Sequence, residues 1–145
     1  MFGFMRAMLM LVVARLAVGI ASGQANSILD ALAKGTDYAG NATVFVKLHI
    51  GDPGAAGTSN AAGNTTRQQA TFASSSGGAN ASNADVVWTN VNTAETYSHV
   101  SYWTASSAGT FLGSAALTAS KTVAIGDTFT IPSGSLTMAL SPVAA

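Results

Sequence analysis

The side chains best suited to chemistry in this sequence are two histidines, His49 and His99, with Asp52 close to the first. Both histidines fall in stretches that predict strands, so the pair could meet across a sheet and, with Asp52, offer three ligands to a zinc ion. Three scattered ligands have no diagnostic spacing, and a partly exposed strand histidine is the simpler interpretation. We therefore predict no metal site and no cofactor site.

Motifs that support catalysis are missing from the sequence. It contains no G-x-S-x-G elbow, no phosphate-binding G-x-x-x-x-G-K-[ST] loop, no H-E-x-x-H and no EF-hand pattern. The sequence contains so many serines that the presence of serine, histidine and acidic residues does not by itself indicate a catalytic triad. Most of the six acidic residues lie within three residues of a Gly, Pro or Asn, where carboxylates usually serve turns and caps. The sequence therefore predicts no catalytic residues and a protein that is not an enzyme.

Three aromatic side chains, Tyr97, Tyr102 and Trp103, could form a carbohydrate-binding platform because flat rings suit sugar faces. Alternation along a strand would place Tyr97 and Trp103 on one face with His99, and Tyr102 on the other face with Val100. Packing in a core is the alternative that we favour, since large aromatic residues supply much of the buried area of a small β domain.

Composition limits the partners of the chain. Its 145 residues suit one domain, and only 8% of them are charged, about a third of the usual fraction. The formal net charge of zero leaves no electrostatic footprint for nucleic acid, and the absence of cysteine excludes disulfides and thiolate chemistry. A neutral chain also has little repulsion between copies. We therefore predict that the protein works as a homo-oligomer or within a larger assembly.

Residues 1–22 form an apolar segment interrupted only by Arg6 and Arg15. One interpretation is a secretory signal peptide with Arg6 in its basic start, although Arg15 would interrupt the apolar run. Arg15 also leaves the run shorter than the roughly 20 residues of a membrane-spanning helix, so no membrane partner is predicted. The interpretation that we favour is an apolar helical arm buried in an assembly, followed by one β-sandwich domain over residues 23–145.

A short helix and a low-complexity loop are predicted within that domain. Residues 26–34 indicate a helix with Asn26 or Ser27 as the N-cap and Gly35 as the stop. Residues 74–83 (SSSGGANASN) contain no side chain large enough to anchor a core and predict an exposed loop.

The remaining pattern is typical of short strands. Residues 43–50 alternate with a period of two, which predicts one buried and one exposed face. The residues predicted to be more buried are Val44, Val46, Leu48 and Ile50, and those predicted to be less buried are Lys47 and His49. Further strands are predicted at residues 68–73, 86–90, 97–104, 110–116, 121–124, 127–131 and 135–140. Short strands broken by Gly and Asn clusters predict a mainly β fold, an antiparallel sandwich or jelly roll.

Several stretches, taken together, resemble a family of small bacteriophage virion proteins that carry tail-fibre or minor-capsid labels. They are SILDALAKGTDYAG, VFVKLHIGDPGAAGTSN, RQQATFA, VSYWTASSAGTFLGSAAL and SKTVAIGDTFTIPSGSLTMAL, between about Ser27 and Leu140. The most specific pieces are LHIGDPG and the last stretch. The resemblance implies a protein of the virion and has no catalytic residues to transfer.

The lack of a repeat pattern bears on which kind of virion protein this is. A fibre is elongated, and its length comes from coiled-coil heptads, sequence repeats or a triple-stranded shaft. The sequence shows no heptad or repeat period of this kind. We therefore expect a capsid decoration or minor capsid protein that binds the outside of the head shell, with the major capsid protein or other virion proteins as partners. The alternative in the same class is a tail-fibre or tail-tip protein. The alternative from another class is a secreted carbohydrate-binding sandwich that contacts a host-surface glycan.

Overall fold

The computed structural model describes residues 19–140. The chain contains there one helix, α1 (Ser22–Lys34), and a series of antiparallel strands. The strands are β1 (Gly19–Ile20), β2 (Val44–His49), β3 (Gln68–Ala70), β4 (Ala79–Ala81), β5 (Val86–Trp88), β6 (Glu95–Trp103), β7 (Phe111–Val123), β8 (Phe129–Ile131) and β9 (Thr137–Ala139). Most of the predicted apolar arm, residues 1–18, lies outside the described residues, so the arm stays a prediction.

Five strands form one antiparallel sheet in the order β1-β7-β6-β2-β3, while β4 with β9 and β5 with β8 form two-stranded ribbons. A shared apolar core joins one face of the sheet to the ribbons. Within it, the Phe129 ring lies 5.8 Å from the ring of Trp88 and 5.1 Å from that of Tyr97. This arrangement confirms the predicted mainly β, antiparallel fold with a helix near its N-terminal side.

Strand β2 follows the predicted alternation only in part. Val46 and Leu48 are fully buried in the core, as expected, whereas His49 is also fully buried and Ile50 is 49% exposed. The prediction for the last two residues was wrong because the strand ends at His49. Residues 51–66 then fold back along β2 and cover the face that alternation assigns to solvent.

Strand β6 contains an irregularity between Tyr97 and His99, where its pairing with β7 passes over residues 117–120. The shift changes the phase of the alternation, so Tyr97 joins Tyr102 in the core instead of sharing a face with Trp103. The predicted face of Tyr97 was therefore wrong. The predicted packing of all three aromatic residues is confirmed, because each is buried.

Helix α1 begins earlier than predicted, at Ser22. Neither Asn26 nor Ser27 is the N-cap, since that position belongs to Ala21, which makes no side-chain capping hydrogen bond. The helix starts here because Ala21 is fixed to the sheet, where its backbone N–H donates to a carbonyl of β7. The predicted stop is confirmed, as Gly35 adopts the left-handed conformation with φ 66°.

Two further predictions need correction. The loop predicted over residues 74–83 includes β4, whose small residues pair with β9 although they show no strand pattern. The strands predicted at residues 110–116 and 121–124 are parts of one long strand, β7. Among the described residues, no helix combines the length and the apolar character needed to cross a bilayer.

Candidate functional site

The structure places the two histidines directly opposite each other, His49 on β2 and His99 on β6. The Nδ1 atom of His49 lies 2.8 Å from the carbonyl oxygen of Ser59, and its Nε2 atom lies 2.7 Å from Oγ of Ser101. Because a carbonyl can only accept, Nδ1 of the neutral ring carries the proton and Nε2 accepts from the serine hydroxyl. Trp103 completes the chain, as its Nε1–H donates to the same Oγ over 2.8 Å.

This contact between serine and histidine has the geometry of an activated nucleophile, yet its surroundings oppose catalysis. Ser101 and His49 are both fully buried, and the third member of the chain is a carbonyl rather than a carboxylate. Burial lowers the pKa of His49, aided by the nearby Lys47 charge and opposed by hydrogen bonding to the Ser59 carbonyl. The arrangement joins the loop of residues 51–66 to the sheet.

Asp52, the third residue considered as a metal ligand, is engaged in its own loop. Asp52 uses its Oδ1 atom to accept the backbone N–H of Gly54 over 2.9 Å, and His99 uses Nδ1 for a hydrogen bond with Oγ of Ser98. Across residues 19–140, no group of three or more histidine and acidic side chains is placed to hold a metal ion. The structure thus brings the two histidines together without the acid.

Carboxylates in this chain chiefly hold loops, as their neighbours in the sequence suggest. Four of them accept backbone N–H groups: Asp52 from Gly54, Glu95 from Gly63 and Asn64, Asp85 from Ser133, and Asp127 from Ala124. Asp30 instead pairs with Lys34 on the surface of α1, at 2.8 Å. These interactions show acidic groups in structural roles.

The Trp103 ring, part of the possible carbohydrate-binding platform, is covered by other side chains. The guanidinium of Arg67 lies 3.9 Å from the centroid of the Trp103 ring and donates through Nη1 to the carbonyls of Ala105 and Ala108. Phe111 packs on the same ring, with centroids 5.4 Å apart. A covered ring offers no face to a sugar, so the described residues give the carbohydrate platform no support. Sequence reasoning missed Arg67, since nothing near it in the sequence points to Trp103.

An apolar surface remains at α1. A groove of about 420 Å³ lies between this helix and the strands, lined on the helix by Gln24 and Ile28. Five of the eight large hydrophobic side chains that are exposed in the described part of the chain lie on α1 or line this groove. They are Ile20, Leu29, Leu32, Tyr38 and Leu140, and we call them, with the groove, the α1 surface. An exposed apolar patch of this kind suits contact with another protein. The spacing of Ile28, Leu29 and Leu32 in the sequence is the signal that could have found it.

These features define a β-rich protein whose buried polar groups hold its own loops and most of whose exposed large apolar residues, within the described part, lie on one surface. A family model described as "Podophage GP4 fiber I protein gp80" matches residues 19–139. The match spans most of the chain, so the protein belongs to this family of phage fibre proteins. The resemblance to phage virion proteins is confirmed at this level. No curated protein matches the chain.

Proposed function

We propose that this chain is a non-enzymatic structural component of a phage fibre, working within the virion. The observation that carries the proposal is the fibre family match, which begins at β1 and ends with β9. The buried contact between Ser101 and His49 supports a role without catalysis, because neither group can reach a substrate. The expected partners are copies of the chain and neighbouring virion proteins.

Head decoration is a second candidate, and one observation favours it. The sequence has no heptad or repeat that would build a shaft, and residues 19–140 form one sheet with two ribbons around a shared core. Such a unit suits attachment to a surface that another protein supplies. In this role the chain would bind the outside of the head shell through the major capsid protein.

Cross-linking mass spectrometry on purified particles tests both candidates. A reagent that couples amines to carboxylates suits a chain whose exposed Lys34 lies on α1. For a fibre component we expect links from this chain to tail or fibre proteins and a copy number that matches the tail. Links to the major capsid protein at high copy number would instead support head decoration. Absence of the chain from purified particles would contradict both candidates.

A further inference from the structure

Two basic side chains lie next to each other on the face of the five-stranded sheet that points away from the core. The register that pairs Val46 with Gln68 puts Arg67 opposite Lys47, and residues directly opposite each other share a face. Both side chains are half-buried. Like charges in this position destabilise a sheet, so the pair lowers the stability of the protein unless a negative charge joins it.

No acidic side chain neutralises this pair. All six acidic residues of the sequence lie within residues 19–140, and the ion pair found there joins Asp30 to Lys34. Burial, and after it the Arg67 charge, lower the pKa of Lys47, and burial lowers the pKa of Arg67. A carboxylate beside either group would act in the opposite direction. The two cations therefore lie together without a fixed counter-charge.

Arg67 is held in place while much of its guanidinium stays unused. Its Nη1 atom donates to the carbonyls of Ala105 and Ala108, and the group lies 3.9 Å from the centroid of the Trp103 ring. The Nε–H and the N–H groups of Nη2 make no hydrogen bond within residues 19–140. These donors form an edge that can bind two oxygens of one oxyanion. Fixing the side chain beforehand reduces the entropy that binding costs.

We propose that Lys47 and Arg67 form a binding site for a phosphate group. The unused edge of Arg67 supplies paired N–H donors, and the Lys47 ammonium supplies a compact charge with donors of its own. The two positive charges match a phosphate monoester, which carries about −1.5 to −2 at pH 7, better than they match a singly charged carboxylate. Inorganic phosphate and a phosphate ester on a sugar both supply this chemistry.

The position of the site favours an external ligand over the residues that precede Gly19. Strand β1 begins at Gly19, and β3 follows Arg67 at the opposite edge of the sheet. Neighbouring strands lie about 4.8 Å apart, so the four spacings between these edges amount to roughly 19 Å. Residues 1–18 contain two arginines and no acidic residue, so their side chains cannot supply the negative charge. This inference goes beyond the proposed structural role and does not depend on it.

The test is an NMR titration of the isotope-labelled, full-length chain, observed at the arginine Nε–H groups. The ionic strength is held at about 0.15 M with chloride, where the Debye length is about 8 Å. The probes are inorganic phosphate and glucose 6-phosphate, each added to about 50 mM, well above the millimolar Kd that a few hydrogen bonds to one small anion imply. We expect a saturable shift of the Arg67 signal, which is identified by its loss in Arg67→Lys.

Lys47→Gln removes one charge of the site and keeps a polar side chain at a half-buried position. We expect it to bind the probes about tenfold or more weakly, the effect of losing one charge-assisted hydrogen bond. The matched control is Lys121→Gln, which removes the same charge from an exposed position opposite Tyr97. Tyr97 lies roughly 13 Å along β6 from Ser101, the residue opposite Lys47, so this control should bind like the wild-type chain.

The two probes also separate the sources of the phosphate. Glucose 6-phosphate that binds at least as tightly as inorganic phosphate would support an esterified phosphate as the ligand, and weaker binding would support the free anion. The site is overturned if neither probe gives a saturable shift of the Arg67 signal, or if Lys47→Gln and Lys121→Gln bind equally well. These results concern the isolated chain, so incorporation into particles remains a separate test of the proposed function.

Discussion

The two faces of the five-stranded sheet are closed in different ways. On one face, Val46 and Leu48 of β2 pack with Val100 of β6 and the ribbons in a continuous apolar core. On the other face, His49 and Ser101 are covered by a loop and joined by hydrogen bonds. Both regions exclude water, the first mainly through apolar area and the second through hydrogen bonds as well.

The difference teaches how each face tolerates change. Apolar packing is non-directional, so its contribution scales with the area and volume that remain after a substitution. The polar face depends on one consistent set of donors, in which Trp103 donates to Ser101, Ser101 to His49, and His49 to the loop. Removing one member leaves its neighbours buried without partners. Substitutions on each face distinguish apolar packing from hydrogen bonding.

The largest effect is expected on the apolar face. Leu48→Ala removes a fully buried side chain from the core, and we expect the free energy of unfolding to fall by about 2–5 kcal/mol. Urea denaturation of the purified chain measures the change. The control, Ile50→Ala, lies two residues along the chain and removes a side chain that is 49% exposed, so its loss should be under about 1 kcal/mol. Equal losses for the two variants would mean that the assignment of core and surface in this strand is wrong.

The second effect tests the polar face. Ser101→Ala removes the hydroxyl that connects His49 to Trp103, and it leaves a buried Nε2 atom and a buried Nε1–H group without this partner. We expect a loss of about 1–3 kcal/mol in the free energy of unfolding. Ser98→Ala, on the same strand, removes a hydroxyl that is bonded to His99 but only half-buried. The free energy of unfolding should fall less for Ser98→Ala than for Ser101→Ala. A larger fall for Ser98→Ala would contradict the claim that the buried Ser101 hydroxyl stabilises this face.

The sequence predicts the apolar face well and the polar face poorly, for physical reasons. Val46 and Leu48 alternate within a run of strand-forming residues, so their burial follows from local geometry. His49 is buried because residues 51–66 return over it, and that loop of small residues has no pattern that gives its path. The contact of Arg67 with Trp103 joins residues 36 positions apart, and no local rule predicts it.

The α1 surface shows a similar limit. The sequence indicates an apolar side for the helix through Ile28, Leu29 and Leu32, and the stop at Gly35 follows from local conformation. What the sequence cannot indicate is that this side is left uncovered by the strands. That outcome depends on how β1 and β7 position the start of the helix, which is a long-range property.

The third effect is a pH dependence from the polar face. Burial holds the pKa of His49 below its usual value, so the folded state binds this proton less readily than the unfolded state does. Its contribution to stability is therefore complete above pH 6.5, the approximate pKa of an unfolded histidine, and is lost as the pH falls below that value. The loss can reach at most about 1.4 kcal/mol per pH unit.

Urea midpoints measured between pH 7.5 and 5 test this dependence by comparing the wild-type chain with His49→Gln. The variant is expected to lose the part of the slope that lies below pH 6.5, whatever its stability at neutral pH. Carboxylates contribute equally to both proteins and cancel in the comparison. Identical slopes would show that His49 does not control the pH response of this face.

The smallest effect is expected where the apolar face contains a polar atom. The hydroxyl of Tyr102 is buried without a hydrogen-bond partner among the described residues, and burial raises the pKa of Tyr102 to about 12. Its ring packs edge-on against Phe72, with centroids 6.4 Å apart, and that contact needs no hydroxyl. Tyr102→Phe should therefore leave the free energy of unfolding unchanged or raise it by up to about 1 kcal/mol.

In the control, Tyr38→Phe, the lost hydroxyl donates to Gln24 at an exposed position, so a small loss in the free energy of unfolding is expected. A loss above about 1 kcal/mol for Tyr102→Phe would mean that its hydroxyl has a partner outside residues 19–140, and that this face is not closed by apolar packing alone.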